Sequence, residues 1–191
     1  MDREIITDYI KKMSKATSSL KSEVDSISNI IDVLIKIKND NKNVFVCGNG
    51  GSSATASHMV CDLFKASEIK SICLSDTTSL ITALTNDIGW DKVYSYQLER
   101  LANKGDCVIL FSVHGGEGVD VAGIQSKNLS DAIDYANSNG IITIGITGGD
   151  GGYFNNCKYK IIVNSNSTPI IESVHSIIAH IIPFIIKENL E

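Results

Sequence analysis

The sequence predicts an α/β protein: a three-layer αβα sandwich around a five-stranded parallel sheet, flavodoxin-like, preceded by a helical arm. Two observations carry this. From Asn43 onward, short β-rich apolar runs alternate with amphipathic helical segments, the pattern of parallel strands joined by helical crossovers. At the first such run, Val44 to Cys47 meets three glycines in four positions (Gly48, Gly50, Gly51), then Ser52, Ser53 and a helix-compatible stretch to Lys65. That order reads as strand, tight turn and helix.

The 191 residues, 43% hydrophobic and 20% charged, suit one domain spanning 1–191, with 1–40 as the arm and 41–191 as the core. In the arm, apolar residues recur at helical spacing (Ile6, Ile10, Met13, then Val24, Ile27, Ile31, Leu34), which predicts two helices or one broken near Ser18. Such a stripe has to be covered, either by the chain's own core or by a partner subunit. Strands are expected at Val44–Cys47, Lys70–Leu74, Cys107–Ser112, Ile141–Thr147 and Tyr159–Val163. Helices are expected at Ser53–Lys65, Thr78–Leu84, Lys92–Ala102, Leu129–Ser138 and Thr168–Asn189.

Net charge of -5 with dispersed Lys and Arg argues against nucleic acid as a ligand. The five cysteines are odd in number, lie in or beside apolar runs and lack CxxC spacing, so they read as reduced core residues. Acidic residues near the N-terminus are unlike a signal peptide, and Glu172, His175, His180 and Pro183 interrupt the apolar C-terminal stretch, so no membrane span is expected. Together these features point to the cytoplasm.

Ligands of parallel sheets bind at the carboxyl ends of the strands. Those ends carry Gly48 to Ser53, Ser75 to Thr78, Ser112 to Gly118 and Thr147 to Gly152, most of them rich in glycine and hydroxyl residues. At the first turn, free helix N–H groups with Ser52 and Ser53 suit an anion, and a glycine turn that binds nothing is the plain alternative. Neither a Walker lysine nor a dinucleotide fingerprint is present, so no nucleotide cofactor is expected. Four such ends together favour a phosphorylated or polyhydroxylated small molecule.

Gly48-Asn49-Gly50-Gly51-Ser52 followed by a helix carrying His58, Leu74-Ser75-Asp76, Thr85-Asn86-Asp87, and the ITGGDGG run at Ile146 to Gly152 resemble the sugar isomerase (SIS) fold. The resemblance covers nearly all of the chain and is strongest to the phosphoheptose isomerase family, which converts sedoheptulose 7-phosphate to a D-glycero-heptose 7-phosphate. It implies a homotetramer, built partly by the arm, with sites near subunit interfaces. It also implies that Asn49, Gly50, Gly51 and Ser52 touch a sugar phosphate, that Asp87 helps hold sugar hydroxyls, and that Ser112 is the first hydroxyl of a phosphate loop. His180, with His175 before it, matches a catalytic histidine on the last helix, and His58 resembles a metal-binding histidine.

Several positions depart from the family. Asp62 stands where it has a catalytic glutamate, Glu172 where it has a glutamine, and Pro169 where it has an aspartate. Its STSGNS loop has become Ser112-Val113-His114-Gly115-Gly116-Glu117, followed by an inserted stretch through Gln125. His114 with Gly115 and Gly116 is expected to bind the substrate phosphate, or else His114 fills the pocket.

His58 and Asp62 are four apart and so share a helix face. Glu172 and His175 are three apart, with His180 about 80° round from Glu172. Converging helices would make this set an acid/base site for aldose–ketose isomerisation, with Asp62 as carbon base, Glu172 in reserve and His180 opening the ring. The same His58, Asp62, Glu172 and His180 form a candidate site for one zinc ion per subunit. Two other readings stand beside this one: a SIS module that binds a sugar phosphate or a protein without catalysis, and an isomerase of a different sugar phosphate in surface-polysaccharide synthesis.

Overall fold

The computed structural model describes residues 2–116, 119–120, 123–124 and 126–189. Two helices come first, α1 (Asp2–Ser19) and α2 (Val24–Asn39), separated by a 3-10 turn at Leu20–Glu23. Then follow β1 (Val44–Gly48), α3 (Gly51–Lys65), β2 (Ser71–Cys73), α4 (Thr78–Ile88), α5 (Val93–Leu101) and β3 (Cys107–Phe111). The chain continues through β4 (Val119–Asp120), β5 (Gly123–Ile124), α6 (Lys127–Ser138), β6 (Ile142–Gly148), β7 (Tyr159–Val163) and α7 (Thr168–Glu188). Of the inserted stretch from Glu117 to Gln125, β4 pairs antiparallel with β5, and the remainder lies outside the described residues.

The five long strands form one parallel sheet in the order β2-β1-β3-β6-β7. Strand residues alternate between two cores. Val44, Val46, Ile109, Phe111, Ile144 and Ile146 face α2, α3 and α7. Phe45, Cys47, Val108 and Leu110 face α4, α5 and α6. Helices on both faces explain why β1 and β3 are apolar at every position: each face needs burial. From β1 the chain steps outward to β2 and later returns to lay β3 on the other side, so the crevice of this topology opens between β1 and β3. Gly48 pairs with Phe111 across that gap, which sets the Asn49–Ser52 turn beside the Ser112–Gly116 turn.

The arm divides into two unlike halves. Helix α2 buries Ile27, Ile30, Ile31, Leu34 and Ile37 in the core, each worth about 1.5–3 kcal/mol over exposure. Helix α1 buries only Ala16 and leaves Ile5, Ile6, Tyr9 and Ile10 between 42% and 61% exposed. The expected interruption near Ser18 is the 3-10 turn that begins two residues on, at Leu20.

Helix α7 is longer and more apolar than the polar residues that interrupt it suggest. By length and composition it is apolar enough to cross a membrane, with its 18-residue window at a mean hydropathy of 1.7. Half of that window is buried, however, and Ile170, Ile171, Val174, Ile178, Ile182 and Ile186 line the sheet core, so its apolarity is that of a central helix.

Within α7, His175 is fully buried, its ring 5.6 Å from that of Phe111. Neither ring nitrogen has a hydrogen-bond partner. Burial pushes its pKa from 6.5 down to about 4; the Thr147 backbone offsets part of this without reaching hydrogen-bond geometry. The folded protein thus resists a proton that the unfolded chain accepts. Stability tied to the neutral ring is intact above pH 6.5, falls as pH drops from there, and by pH 4 has decreased by about 3 kcal/mol. We expect His175→Leu to be neutral or stabilising at pH 7.5 and to flatten the loss between pH 6.5 and 4 in urea titrations; an unchanged acid slope would contradict this.

Candidate functional site

Helices α3 and α7 both run against the strand direction on one face of the sheet, so they lie parallel and in contact. Three interactions set their register. At the amino end Gly51 abuts Glu172, in the middle Asp62 meets His180, and beyond the carboxyl end of α3 the Ser67 Oγ donates to the Pro183 carbonyl at 2.8 Å. The partners advance together along both helices, from Gly51 and Glu172 through Asp62 and His180 to Ser67 and Pro183. Residues far apart in the chain are thereby brought to one surface.

The middle contact is the chemically dense one. Asp62 Oδ2 lies 3.1 Å from His180 Nδ1 and 3.4 Å from His58 Nε2, and the two imidazole rings meet edge to face with centroids 4.7 Å apart. The Asp62 side chain is 14% exposed and each imidazole just over half exposed, so a sheltered carboxylate stands between two rings that solvent or a ligand can reach. One donor atom from each of the three lies within 4.8 Å of the others. Nitrogen and oxygen ligands about 2.0–2.2 Å from a tetrahedral zinc sit roughly 3.3–3.5 Å apart, and the two distances to Asp62 approach that spacing. Two imidazoles and a carboxylate are the donor chemistry that zinc takes.

Glu172 is not in this group. It precedes His180 by two turns of α7, roughly 12 Å along the axis, and its carboxylate lies over the first residue of α3. A Cβ on Gly51 would run into Oε1 and come within 2.8 Å of Cδ, so glycine is needed there for the approach. The α3 amino end, where the sequence suggested an incoming anion, is already faced by a carboxylate of the chain itself. No hydrogen bond or ion pair holds that carboxylate among the described residues.

The turns at the crevice are tightly held. Asn49 Nδ2 donates to Asn128 Oδ1 and Asn128 Nδ2 donates to Asn49 Oδ1, both at 2.9 Å. The Tyr94 hydroxyl donates to the Gly48 carbonyl at 2.6 Å, with Asn49 Oδ1 a second acceptor at 3.2 Å. The Asn49 side chain is thus committed to its neighbours, whereas Gly50 and Gly51 are exposed and Ser52 is buried. In the second turn Ser112 Oγ accepts from the Gly116 N–H at 3.2 Å and the hydroxyl faces inward. Gly115 takes φ +64° with no room for a Cβ against the Gly151 carbonyl, and His114 points to solvent. Asp87 is exposed on α4, accepting from Asn86 Nδ2 at 2.9 Å, and no described contact links it to either turn.

Reasoning from sequence did not find Tyr94 or Asn128. Both lie inside amphipathic helices with no motif around them, and only their burial beside the first turn marks them.

Comparison with known proteins gives the family. The SIS domain family matches residues 8–148. The phosphoheptose isomerase of Aliarcobacter butzleri is 35% identical over 199 residues, spanning 100% of this chain and 99% of its own length. That of Nitratiruptor is 34% identical over 195 residues, with 99% and 97% covered. The solved phosphoheptose isomerase of Neisseria gonorrhoeae shares the fold, with a TM-score of 0.88 at 24% identity over 98% of this chain and 100% of that one. A family match over most of the chain, with similarity to these relatives from end to end, establishes that the protein belongs to the SIS-domain family, among the phosphoheptose isomerases.

Proposed function

We propose that the protein is an aldose–ketose isomerase acting on a phosphorylated seven-carbon sugar, interconverting sedoheptulose 7-phosphate and a D-glycero-heptose 7-phosphate. The single observation that carries this is the meeting of Asp62 with His180 across 118 residues of sequence, in a chain similar to phosphoheptose isomerases throughout. Carboxylate and imidazole are the two groups that such a reaction needs.

The steps follow from the positions. His180 exchanges a proton with the ring oxygen and opens the hemiketal. Asp62 removes a proton from carbon one; the C–H electron pair becomes the C1–C2 double bond, and the carbonyl oxygen at carbon two takes a proton from the imidazole. Returning the carbon-bound proton to carbon two, with loss of the proton on the oxygen at carbon one, yields the aldose. Electrons and protons balance within the substrate, so no nucleotide cofactor is required. Glu172 is a second carboxylate in reserve for the carbon-bound proton. The phosphate is assigned to the Ser112–Gly116 turn with His114, and the sugar hydroxyls to the exposed backbone of Gly50 and Gly51 with Ser52 and Asp87.

Zinc is an alternative to those steps: His58, Asp62 and His180 would hold one ion per subunit, which would supply Lewis-acid polarisation of the substrate carbonyl in place of the imidazole proton, with Glu172 left for the carbon-bound proton. The uncovered stripe of α1, with Phe184 and its ring 6.3 Å from His180, supports assembly with further copies as a homotetramer that shelters the imidazoles. Five free thiols, four of them buried, fit a cytoplasmic setting.

Incubating the protein with C5 to C7 sugar phosphates in deuterated water, with and without zinc, tests the reading directly. Deuterium is expected at carbon one or two of sedoheptulose 7-phosphate, and no exchange with any sugar would overturn the isomerase assignment in favour of a binding module. Asp62→Asn is expected to lower kcat at least 100-fold with the fold intact by circular dichroism, since general acid–base groups contribute about 10²–10⁴. Gly51→Ala separates site from scaffold. Its Cβ displaces the Glu172 carboxylate, so activity should fall about tenfold while the melting temperature holds or rises, as alanine favours the helix. Full activity in that variant would remove Glu172 from the site.

A further inference from the structure

At the crevice, away from the Asp62–His180 contact, lies a buried polar cluster that the reaction steps do not use. Its members come from three elements: Asn49 from the turn after β1, Tyr94 from the first turn of α5, and Asn128 from the first turn of α6. Tyr94 is 1% exposed and Asn128 fully buried. The two amides form a closed pair, each donating to the other at 2.9 Å, while the Tyr94 hydroxyl bridges the Gly48 carbonyl and Asn49 Oδ1.

We infer that Tyr94 and Asn128 are positioning residues that clamp the first turn, and that Asn128 ties this turn to the start of α6. The inference rests on the isomerase reading above only where turnover is measured. A turn of three glycines in four residues has many backbone states open to it. Its exposed glycines carry no side chain that could hold it in one of them. The clamp supplies that hold from below, through the last carbonyl of β1 and the Asn49 amide, which makes both donor and acceptor contacts. Because buried amides left without partners are costly, the pair resists opening. Burial also pushes the Tyr94 phenol well above its ordinary range, so the hydroxyl remains a donor at any working pH.

The location of Asn128 gives the clamp its second role. It is the second residue of α6, and a Cβ on Gly116 of the second turn would lie 3.6 Å from the Ser126 carbonyl oxygen just ahead of that helix, so the pair ties the first turn to the helix start against which the second turn rests. A sugar phosphate bridging both turns would meet them at a fixed separation, and a misplacement of about 1 Å can cost a hundredfold in rate.

Tyr94→Phe, Asn128→Ala and the double variant test this by kcat and KM for sedoheptulose 7-phosphate, together with hydrogen exchange at the amides of 49–53. We expect Tyr94→Phe to lower kcat about tenfold with KM within threefold, and Asn128→Ala to lower kcat and also raise KM. The double variant should fall little below Asn128→Ala, because both residues act through Asn49. A purely structural role would lower the melting temperature and leave kcat per folded molecule unchanged, which overturns the inference. If the unmodified protein does not turn the sugar over, the isomerase reading fails. Exchange then decides alone: tenfold faster exchange at 49–53 in both single variants upholds the clamp, and unchanged exchange overturns it.

Discussion

The parallel packing of α3 on α7 is the constraint from which the rest of the site follows. Both helices return from the carboxyl ends of their strands across the same sheet face, and Met59, Leu63, Val174 and Ile178, all fully buried, hold them there. With that register set, Asp62 has to face His180, and Gly51 has to face Glu172. Sliding one helix by a single turn would move the partners about 5.4 Å and separate every one of these pairs. The Asp62, His58 and His180 group is set by core packing, so it sits in a part of the molecule with little freedom to rearrange.

The structure separates two jobs that the residue list alone runs together. One set of groups is sheltered by carboxylate and imidazole contacts midway along the helices, at Asp62, His58 and His180. The other lies at the crevice between β1 and β3, where the two turns and Glu172 meet. The polar groups that define the crevice are mostly satisfied internally: Asn49 by Asn128 and Tyr94, Ser112 by the Gly116 N–H. That internal satisfaction leaves backbone, glycine and a few exposed side chains to face a ligand.

Much of the fold was legible in the sequence, because the strands are short β-rich runs, most of them ending in glycine and hydroxyl residues, and the crossover helices are amphipathic. The periodicities of β1 to α3 and of α7 are strong enough that their bounds agree with the structure to within two residues. The pairing of His58, Asp62 and His180 was legible too, through helical spacing together with family resemblance. What was hidden depends on three-dimensional neighbours. Glu172 lies on the same helix as His180, but two turns of rise take it to Gly51 and out of the metal-ligand group, and spacing by angle alone does not register that distance. Tyr94 and Asn128 look like ordinary helix residues until the turn they hold is in place. The apolarity of α7 likewise has two readings in one dimension, and burial against the sheet selects one.

The central claim is that the α3–α7 contact at Asp62 faces the bound sugar. Side-chain imidazole NMR during addition of sedoheptulose 7-phosphate tests it most directly. The account predicts that the His58 and His180 resonances shift together and saturate at one concentration, while buried His175 moves little. Saturable binding that leaves both His58 and His180 unmoved would place the ligand elsewhere and contradict the account.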